Sequence, residues 1–278
     1  MLPEFASVIP ESKEEALHFL SSLEYAKVFA GGTDLLVKMR RGESYRHVVD
    51  ITRIPDLHGI SEKDGPISIG ATATHNDINN NPIIKSCAGS LATACGCVGS
   101  PAIRNMGTIG GNLVNASPAA DSLAPLLIHD AEVVLESNQG IRRMKVEDFV
   151  LAPHRTAIDA HELVASIEIG GFTGYREGYK RVTKRAAWAI SRLSVAWAIQ
   201  EEAGYFRDVK LAVGSCTPMP FRPKEIEESL RGKAKSDETV EAAVKGILEE
   251  VMRLSGARPS FVYKIPVVQD LLREILGG

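Results

Sequence analysis

The sequence is most constrained by a glycine-rich segment at residues 104–112, which reads RNMGTIGGN. Gly107, Gly110 and Gly111 fall within five positions, and this density of glycine disfavours both a helix and a strand. Glycine permits positive φ and close approach of backbone amides to a ligand, so such a loop can bind phosphate oxygens. An ordinary glycine turn has the same composition, and one loop alone leaves both interpretations open.

Another glycine loop lies earlier in the chain; we call it the first loop, and residues 104–112 the second loop. Residues 30–36 read AGGTDLL; they follow a short apolar run and open a helical pattern. The two loops are about eighty residues apart. Together they predict a ligand that carries two phosphates and is held from both sides.

With Ser117-Pro118 and Asp121 after the second loop, the two motifs resemble the flavin subunit of the molybdenum hydroxylases. That family includes the medium chain of aerobic carbon monoxide dehydrogenase and the flavin part of xanthine dehydrogenase. The resemblance extends, in order, over nearly the whole chain. It implies an α+β fold of three lobes: two FAD-binding lobes of the PCMH type, residues 1–56 and 57–171, and a C-terminal antiparallel sheet with helices, residues 172–278, that covers the flavin.

The resemblance also implies which residues hold FAD. Both loops would bind its pyrophosphate, through glycine amides and the hydroxyls of Thr33 and Thr108. Asp121 would accept a hydrogen bond from a ribityl or ribose hydroxyl; the alternative is that Asp121 caps a helix beginning there. The implied cofactor-binding residues are Ala30, Gly31, Gly32, Thr33, Asp34, Leu35, Thr108, Gly110, Gly111, Asn112, Asp121 and Lys184.

Residues 179–185, YKRVTKR, resemble the family segment that faces the flavin ring. Lys184 would stabilise negative charge on the reduced flavin, and a solvated strand charge is the alternative. The chain departs from the family pattern at Trp188, near which an acidic residue is expected. Trp188 would stack on the ring or pack in the core. A cysteine-rich insertion typical of the benzoyl-CoA reductase branch is not visible, which disfavours that branch.

The composition limits the partners and the compartment. The 278 residues are 44% hydrophobic and 24% charged, as in a soluble globular protein, and the formal charge is −3. This charge gives no reason to expect nucleic acid or an anionic membrane as a partner. No apolar run is long enough to span a bilayer, and the N-terminus lacks a secretory pattern. We therefore expect a cytoplasmic protein.

The sequence motifs of several other enzyme and nucleotide-binding classes are absent. There is no Gly-x-Ser-x-Gly elbow, no dinucleotide fingerprint after the first strand and no P-loop lysine. The Cys95-Gly96-Cys97 spacing does not match zinc or common iron–sulfur motifs, so we interpret the cysteines as buried thiols. The histidines have no metal-ligating spacing and are interpreted as surface or capping residues. They are His18, His47, His58, His75, His129, His154 and His161.

Periodicity and capping patterns predict the secondary structure. Helices are expected from residue 13 to about 23, ending at 38, after 74, and over 82–98, 121–130, 223–230, 236–254 and 261–276. Strands are expected at 27–30, 47–51, 67–71, 131–137, 141–146, 162–169, 175–183, 193–200 and 209–215. The small-residue helix at 82–98 predicts close packing against another backbone.

The function implied by the resemblance is electron transfer. Electrons would pass from a large molybdenum-cofactor subunit through a small iron–sulfur subunit to FAD on this chain, and then to an external acceptor. The assembly implied is a dimer of heterotrimers. One alternative is a free-standing FAD-dependent oxidase or reductase of the same fold. The other is a flavin-free binding module, in which the glycine loops are only turns.

Overall fold

The computed structural model of the chain describes residues 3–62, 65–185 and 189–278. These residues form three main sheets and one small hairpin, with helices on their faces. The α+β architecture with a C-terminal antiparallel sheet is confirmed. Within the described part of the chain, no helix combines the length and hydropathy needed to cross a bilayer.

The first sheet is parallel, in the order β1-β3-β2. The helix that follows β1 begins where the Ser12 side chain accepts a hydrogen bond from the Glu15 amide, and its Leu17 and Leu20 are buried. Strand β1 was not predicted. The elements are β1 (Ala6–Val8), α1 (Lys13–Ser22), β2 (Ala26–Phe29), α2 (Leu35–Arg40) and β3 (His47–Asp50).

The second sheet is antiparallel and has the order β4-β5-β10-β6-β7. Val134, Leu163 and Ala165 of this sheet belong to the same buried cluster as α1, so the first two lobes share a core. The strands are β4 (Ile60–Glu62), β5 (Ile67–Gly70), β6 (Glu132–Ser137), β7 (Gly140–Lys145), the hairpin pair β8 (Val150–Ala152) and β9 (Arg155–Thr156), and β10 (Leu163–Ile169).

Short helices connect β5 to β6. They are α3 (His75–Asn80), α4 (Pro82–Cys87), α5 (Gly89–Cys97), α6 (Pro101–Arg104), α7 (Ile109–Asn115) and α8 (Leu123–Ile128), and α9 (Val146–Phe149) follows β7. The predicted single helix over 82–98 is wrong, because the chain turns at Ala88, with φ −148°. The new N-terminus is bound by the Glu177 carboxylate, which accepts hydrogen bonds from the Gly89 and Ser90 amides.

The third sheet is antiparallel, in the order β11-β12-β13, as predicted. Its face towards the second lobe carries small residues, including Ala196, Ala198 and Ala212, and α5 and α8 pack closely on it. Its other face, with Val195 and Leu211, packs on the C-terminal helices. The elements are β11 (Arg176–Thr183), β12 (Ser191–Glu202), β13 (Tyr205–Gly214), α10 (Lys224–Leu230), α11 (Asp237–Ser255) and α12 (Phe261–Gly277).

Candidate functional site

The first glycine loop connects β2 to α2 and carries a run of unpaired donors. The backbone amides of Gly31, Gly32, Thr33 and Asp34 have no hydrogen-bond acceptor among the residues that the structure describes. Gly32 has φ +67°, and a Cβ there would lie 2.5 Å from the Phe29 ring. Consecutive free amides beside a helix N-terminus are a suitable cradle for phosphate oxygens.

The two glycine loops are in direct contact. A Cβ on Gly31 would lie 1.7 Å from the Met106 carbonyl oxygen, so the backbone of the first loop lies against the second. A Cβ on Gly107 would lie 3.4 Å from the Thr33 hydroxyl oxygen. The structure therefore brings together the two motifs that the sequence places about eighty residues apart.

The second loop is helical from Ile109 onward, contrary to the prediction that its glycines disfavour a helix. Thr108 is the N-cap of α7, and its hydroxyl accepts a hydrogen bond from the Gly111 amide at 3.2 Å. The Gly110 amide donates to the Ala71 carbonyl at 3.0 Å. A Cβ on Gly110 would lie 2.8 Å from the same Ala71 oxygen. Glycine is thus required here because α7 packs directly on the end of β5.

This packing changes what the second loop offers a ligand. The amides of Gly110, Gly111 and Asn112 are bonded within the chain, and only the Thr108 amide lacks an acceptor among the described residues. The Asn112 side-chain oxygen accepts a hydrogen bond from Ser122. Gly111 is exposed, and apart from its own cap oxygen no atom lies within 4 Å of an added Cβ. Most free amides therefore belong to the first loop.

Asp121 does not cap a helix. The helix α8 begins after Ser122, and its N-cap makes no side-chain hydrogen bond. The buried Asp121 carboxylate instead accepts hydrogen bonds from the Tyr179 hydroxyl at 2.6 Å and from the Arg181 guanidinium at 2.7 Å. Ser191 donates a third hydrogen bond to it. The capping alternative is wrong, and Asp121 joins the second lobe to the third sheet.

The third-lobe prediction falls at the edge of the described chain. Lys184 follows the last residue of β11 and is exposed. It has no ion-pair partner among the described residues. Trp188 lies outside the described residues.

Two histidines are buried, which contradicts their interpretation as surface or capping residues. His75 is 2% exposed and His129 is 3% exposed. His129 lies 2.9 Å from the Glu177 carboxylate and 2.6 Å from the Gly170 carbonyl oxygen. His75 lies at the first position of α3, and its amide donates to the Gly107 carbonyl at 3.0 Å. The Thr74-to-Asp77 capping box, visible in the sequence, fixes the start of this helix and was the available signal for its position.

The cysteines partly follow their prediction. Cys95 and Cys216 are buried thiols, whereas Cys87 and Cys97 are half-buried. Burial raises the pKa of Cys216 to about 11, so that thiol stays protonated at neutral pH. No group of three or more metal-ligating side chains occurs in residues 3–62, 65–185 and 189–278.

A concavity of about 800 Å³ lies away from the glycine loops. It is lined by α8 and α9 on one side and by α10 and α11 on the other, and includes Leu127, Phe221 and Arg253. None of the predicted cofactor-binding residues lines it. The free amides of the first loop, rather than this concavity, fit the diphosphate of FAD, because they supply donors that no atom of the described residues accepts.

Comparison with known proteins covers the whole chain. Residues 3–170 match the family model of the FAD binding domain in molybdopterin dehydrogenase, and residues 178–277 match the CO dehydrogenase flavoprotein C-terminal domain. The glyceraldehyde dehydrogenase medium chain of Sulfolobus acidocaldarius is 35% identical over 97% of this chain and 96% of its own length. The nicotinate dehydrogenase FAD-subunit of Eubacterium barkeri is 34% identical over 100% and 99%.

The fold is also similar to a solved structure of carbon monoxide dehydrogenase from Hydrogenophaga pseudoflava. The TM-score is 0.91 at 28% identity, covering 99% of this chain and 96% of that one. The family resemblance drawn from the two glycine loops is thereby confirmed. The chain belongs to the family of the FAD-binding domain in molybdopterin dehydrogenase, it is an oxidoreductase subunit, and its cofactor is FAD.

Proposed function

We propose that this chain is the FAD-carrying electron-transfer subunit of a molybdenum-cofactor hydroxylase or dehydrogenase complex. The observation that carries this proposal is the run of amides in the first glycine loop that have no acceptor in the described part of the chain, packed against the second loop. FAD supplies the redox chemistry when bound, and the chain binds and orients it.

The proposed cofactor site keeps the residues expected from the sequence. Ala30 to Leu35 bind the pyrophosphate through the free amides, and Thr108 to Asn112 form the opposite wall. Asp121 is proposed to act near the flavin from its position in the second lobe, where it contacts the third sheet, and Lys184 to stabilise negative charge on the reduced ring. The proposed lobe boundaries, 1–56, 57–171 and 172–278, are supported by the separate sheets that these segments form.

The proposed partners are a small iron–sulfur subunit and a large molybdenum-cofactor subunit, assembled as a dimer of heterotrimers in the cytoplasm. Relatives are named as medium chains or FAD subunits, which supports membership of a larger assembly. Their names refer to glyceraldehyde, nicotinate and carbon monoxide. Because such different substrates go with one fold, we propose that another subunit selects the substrate.

The test is co-expression of this chain with the small cysteine-rich chain and the large chain that neighbouring genes are expected to encode. Size-exclusion chromatography and flavin-reduction kinetics follow. Substrate is expected to bleach the flavin in the assembled complex and to leave it oxidised on the lone chain. A stable protein–protein interface buries roughly 1,000 Å² or more of surface, so the three chains are expected to elute together. Rapid reduction of the lone chain by an organic substrate would instead support a free-standing oxidase.

A further inference from the structure

His75 lies where the two glycine loops meet. Its amide donates to the Gly107 carbonyl, and a Cβ on Gly107 would lie 3.3 Å from the His75 Cδ2 atom. The same Cβ would lie 3.4 Å from the Thr33 hydroxyl oxygen. A single glycine of the second loop therefore lies between the His75 ring and the first loop.

The imidazole of His75 is neutral. Burial, with a smaller contribution from the positive charge of Arg104, lowers the pKa of His75 to about 4. A neutral imidazole has one nitrogen that donates and one that accepts. Pyrophosphate oxygens only accept hydrogen bonds, so the neutral ring can bind them only through its protonated nitrogen.

The surroundings of the two ring nitrogens differ. Nδ1 is enclosed and has no hydrogen-bond partner among the described residues. Nε2, which is bonded to Cδ2 on the Gly107 side, is not among the enclosed unpaired atoms and has no protein partner in the described chain. Buried N–H groups without an acceptor are rarer than unpaired acceptors. The proton is therefore placed on Nε2, and Nδ1 is the unpaired acceptor.

We propose that His75 is a further cofactor-binding residue, whose Nε2–H donates a hydrogen bond to the phosphate portion of FAD. This inference rests on the proposed binding of FAD at the first loop. The His75 ring and the Thr33 hydroxyl flank the same residue, Gly107, so Nε2 lies at the junction that also carries the free amides of Gly31 to Asp34. A neutral donor also avoids the solvation cost of a buried imidazolium.

The experiment measures the affinity of the full chain, stripped of flavin, for FAD and for riboflavin, which lacks phosphate. The variants are His75→Leu and His75→Gln, with His58→Leu as a control at an exposed position. His75→Leu is expected to weaken FAD binding roughly ten- to a hundredfold, as for a lost hydrogen bond to a charged group. Its affinity for riboflavin is expected to stay unchanged. His75→Gln, whose amide reaches the position of Nε2, is expected to bind FAD within about threefold of the unaltered chain.

A second measurement does not depend on a variant folding. In the unaltered chain with ¹⁵N-labelled histidine, Nε2 of His75 is expected to be protonated at neutral pH and to shift when FAD, but not riboflavin, is added. Absence of that shift in a chain that binds FAD overturns the role of His75, as does a folded His75→Leu variant with unchanged FAD affinity. A chain that binds no FAD at all overturns the proposed function instead.

Discussion

Asp121 and Arg181 form a buried ion pair, with Oδ2 of the carboxylate 2.7 Å from Nη1 of the guanidinium. The two side chains are only 7% and 14% exposed. Asp121 precedes α8 in the second lobe, and Arg181 lies on β11 of the third sheet. The pair therefore fixes the third sheet on the FAD-binding lobes.

Two further polar residues of β11 lie on the same face as Arg181. Because side chains alternate along a strand, Glu177, Tyr179 and Arg181 share one side. Tyr179 donates to Asp121 at 2.6 Å, and Glu177 accepts hydrogen bonds from the start of α5. Three successive residues of this face thus bind the second lobe, and the strand leads directly to Lys184.

We predict that Asp121→Asn lowers the free energy of unfolding by about 2–3 kcal/mol. Asn retains an acceptor oxygen but removes the charge that Arg181 requires in a buried position. Urea denaturation of the flavin-free chain measures the change. If Asp121 were only a helix cap, Asn would preserve stability, since Asn caps about as well as Asp.

The matched control is Asp270→Asn. Asp270 also pairs with an arginine, but its side chain is 78% exposed. Surface ion pairs contribute little to stability, so the urea midpoint of the Asp270→Asn variant is expected to match that of the unaltered chain. The folded Asp121→Asn variant also tests the flavin role: weaker FAD affinity or a shifted flavin potential supports it, and unchanged values leave only the structural role.

Glu177 gives a prediction with a defined pH dependence. Burial raises the pKa of Glu177, but hydrogen bonds from His129 and Ser90 outweigh burial and hold the pKa below its usual value. The ionised form is therefore favoured in the folded state, and its contribution is present above about pH 4.5 and lost as pH falls further. Glu177→Gln is expected to lower stability at pH 7 and to flatten the acid limb of the stability curve. An acid limb as steep as that of the unaltered chain would exclude this role.

The contact between the glycine loops predicts a strong effect of a single methyl group. Gly31→Ala would place Cβ 1.7 Å from the Met106 carbonyl oxygen, so one loop must move. FAD affinity is expected to fall at least about tenfold, as for a loss of roughly 1.4 kcal/mol. Gly32→Val and Gly111→Val are expected to abolish binding, because their side chains would fill the space next to the phosphates.

Gly42→Ala is the control for these glycine variants. Gly42 has φ +107°, but nothing lies within 4 Å of an added Cβ. The variant therefore carries backbone strain without a steric clash, and its FAD affinity is expected to be unchanged. An equal loss of affinity in Gly42→Ala and Gly31→Ala would show that general destabilisation, not the loop contact, is responsible.

The sequence predicts well those elements whose signals are local. The capping patterns at Ser12 and Thr74 place the starts of α1 and α3, and alternation places the three strands of the third sheet. Composition alone also indicates the close packing of α5, which lies against β11. In each case the residues that carry the signal lie within the element itself.

The wrong predictions concern features that depend on contacts between distant parts of the chain. The break at Ala88 is stabilised by Glu177, which is 88 positions from Gly89. The helix α7 forms despite its glycines because the Ala71 and Ala73 carbonyls accept two of its first amides. The role of Asp121 depends on residues of β11 and β12. Local propensity contains none of this information.

The final prediction concerns His75 in the flavin-free chain. Its folded pKa of about 4 lies below the ordinary value of 6.5, because burial and the neighbouring Arg104 disfavour the charged ring. Between these values the unfolded chain binds the proton more readily than the folded chain does. Stability is therefore lost as pH falls from 6.5 towards 4. From pH 7 to pH 5 the loss is about 2 kcal/mol.

His75→Gln is expected to remove this part of the pH dependence, because glutamine does not titrate. The free energy of unfolding is measured by urea denaturation at pH 7 and at pH 5. The difference between these two free energies is expected to be smaller in the variant by about 2 kcal/mol. His58→Gln, at an exposed position, is expected to give the same difference as the unaltered chain. Equal differences in all three proteins would contradict the prediction, because they would mean that the pKa of His75 is not lowered by its burial beside Gly107.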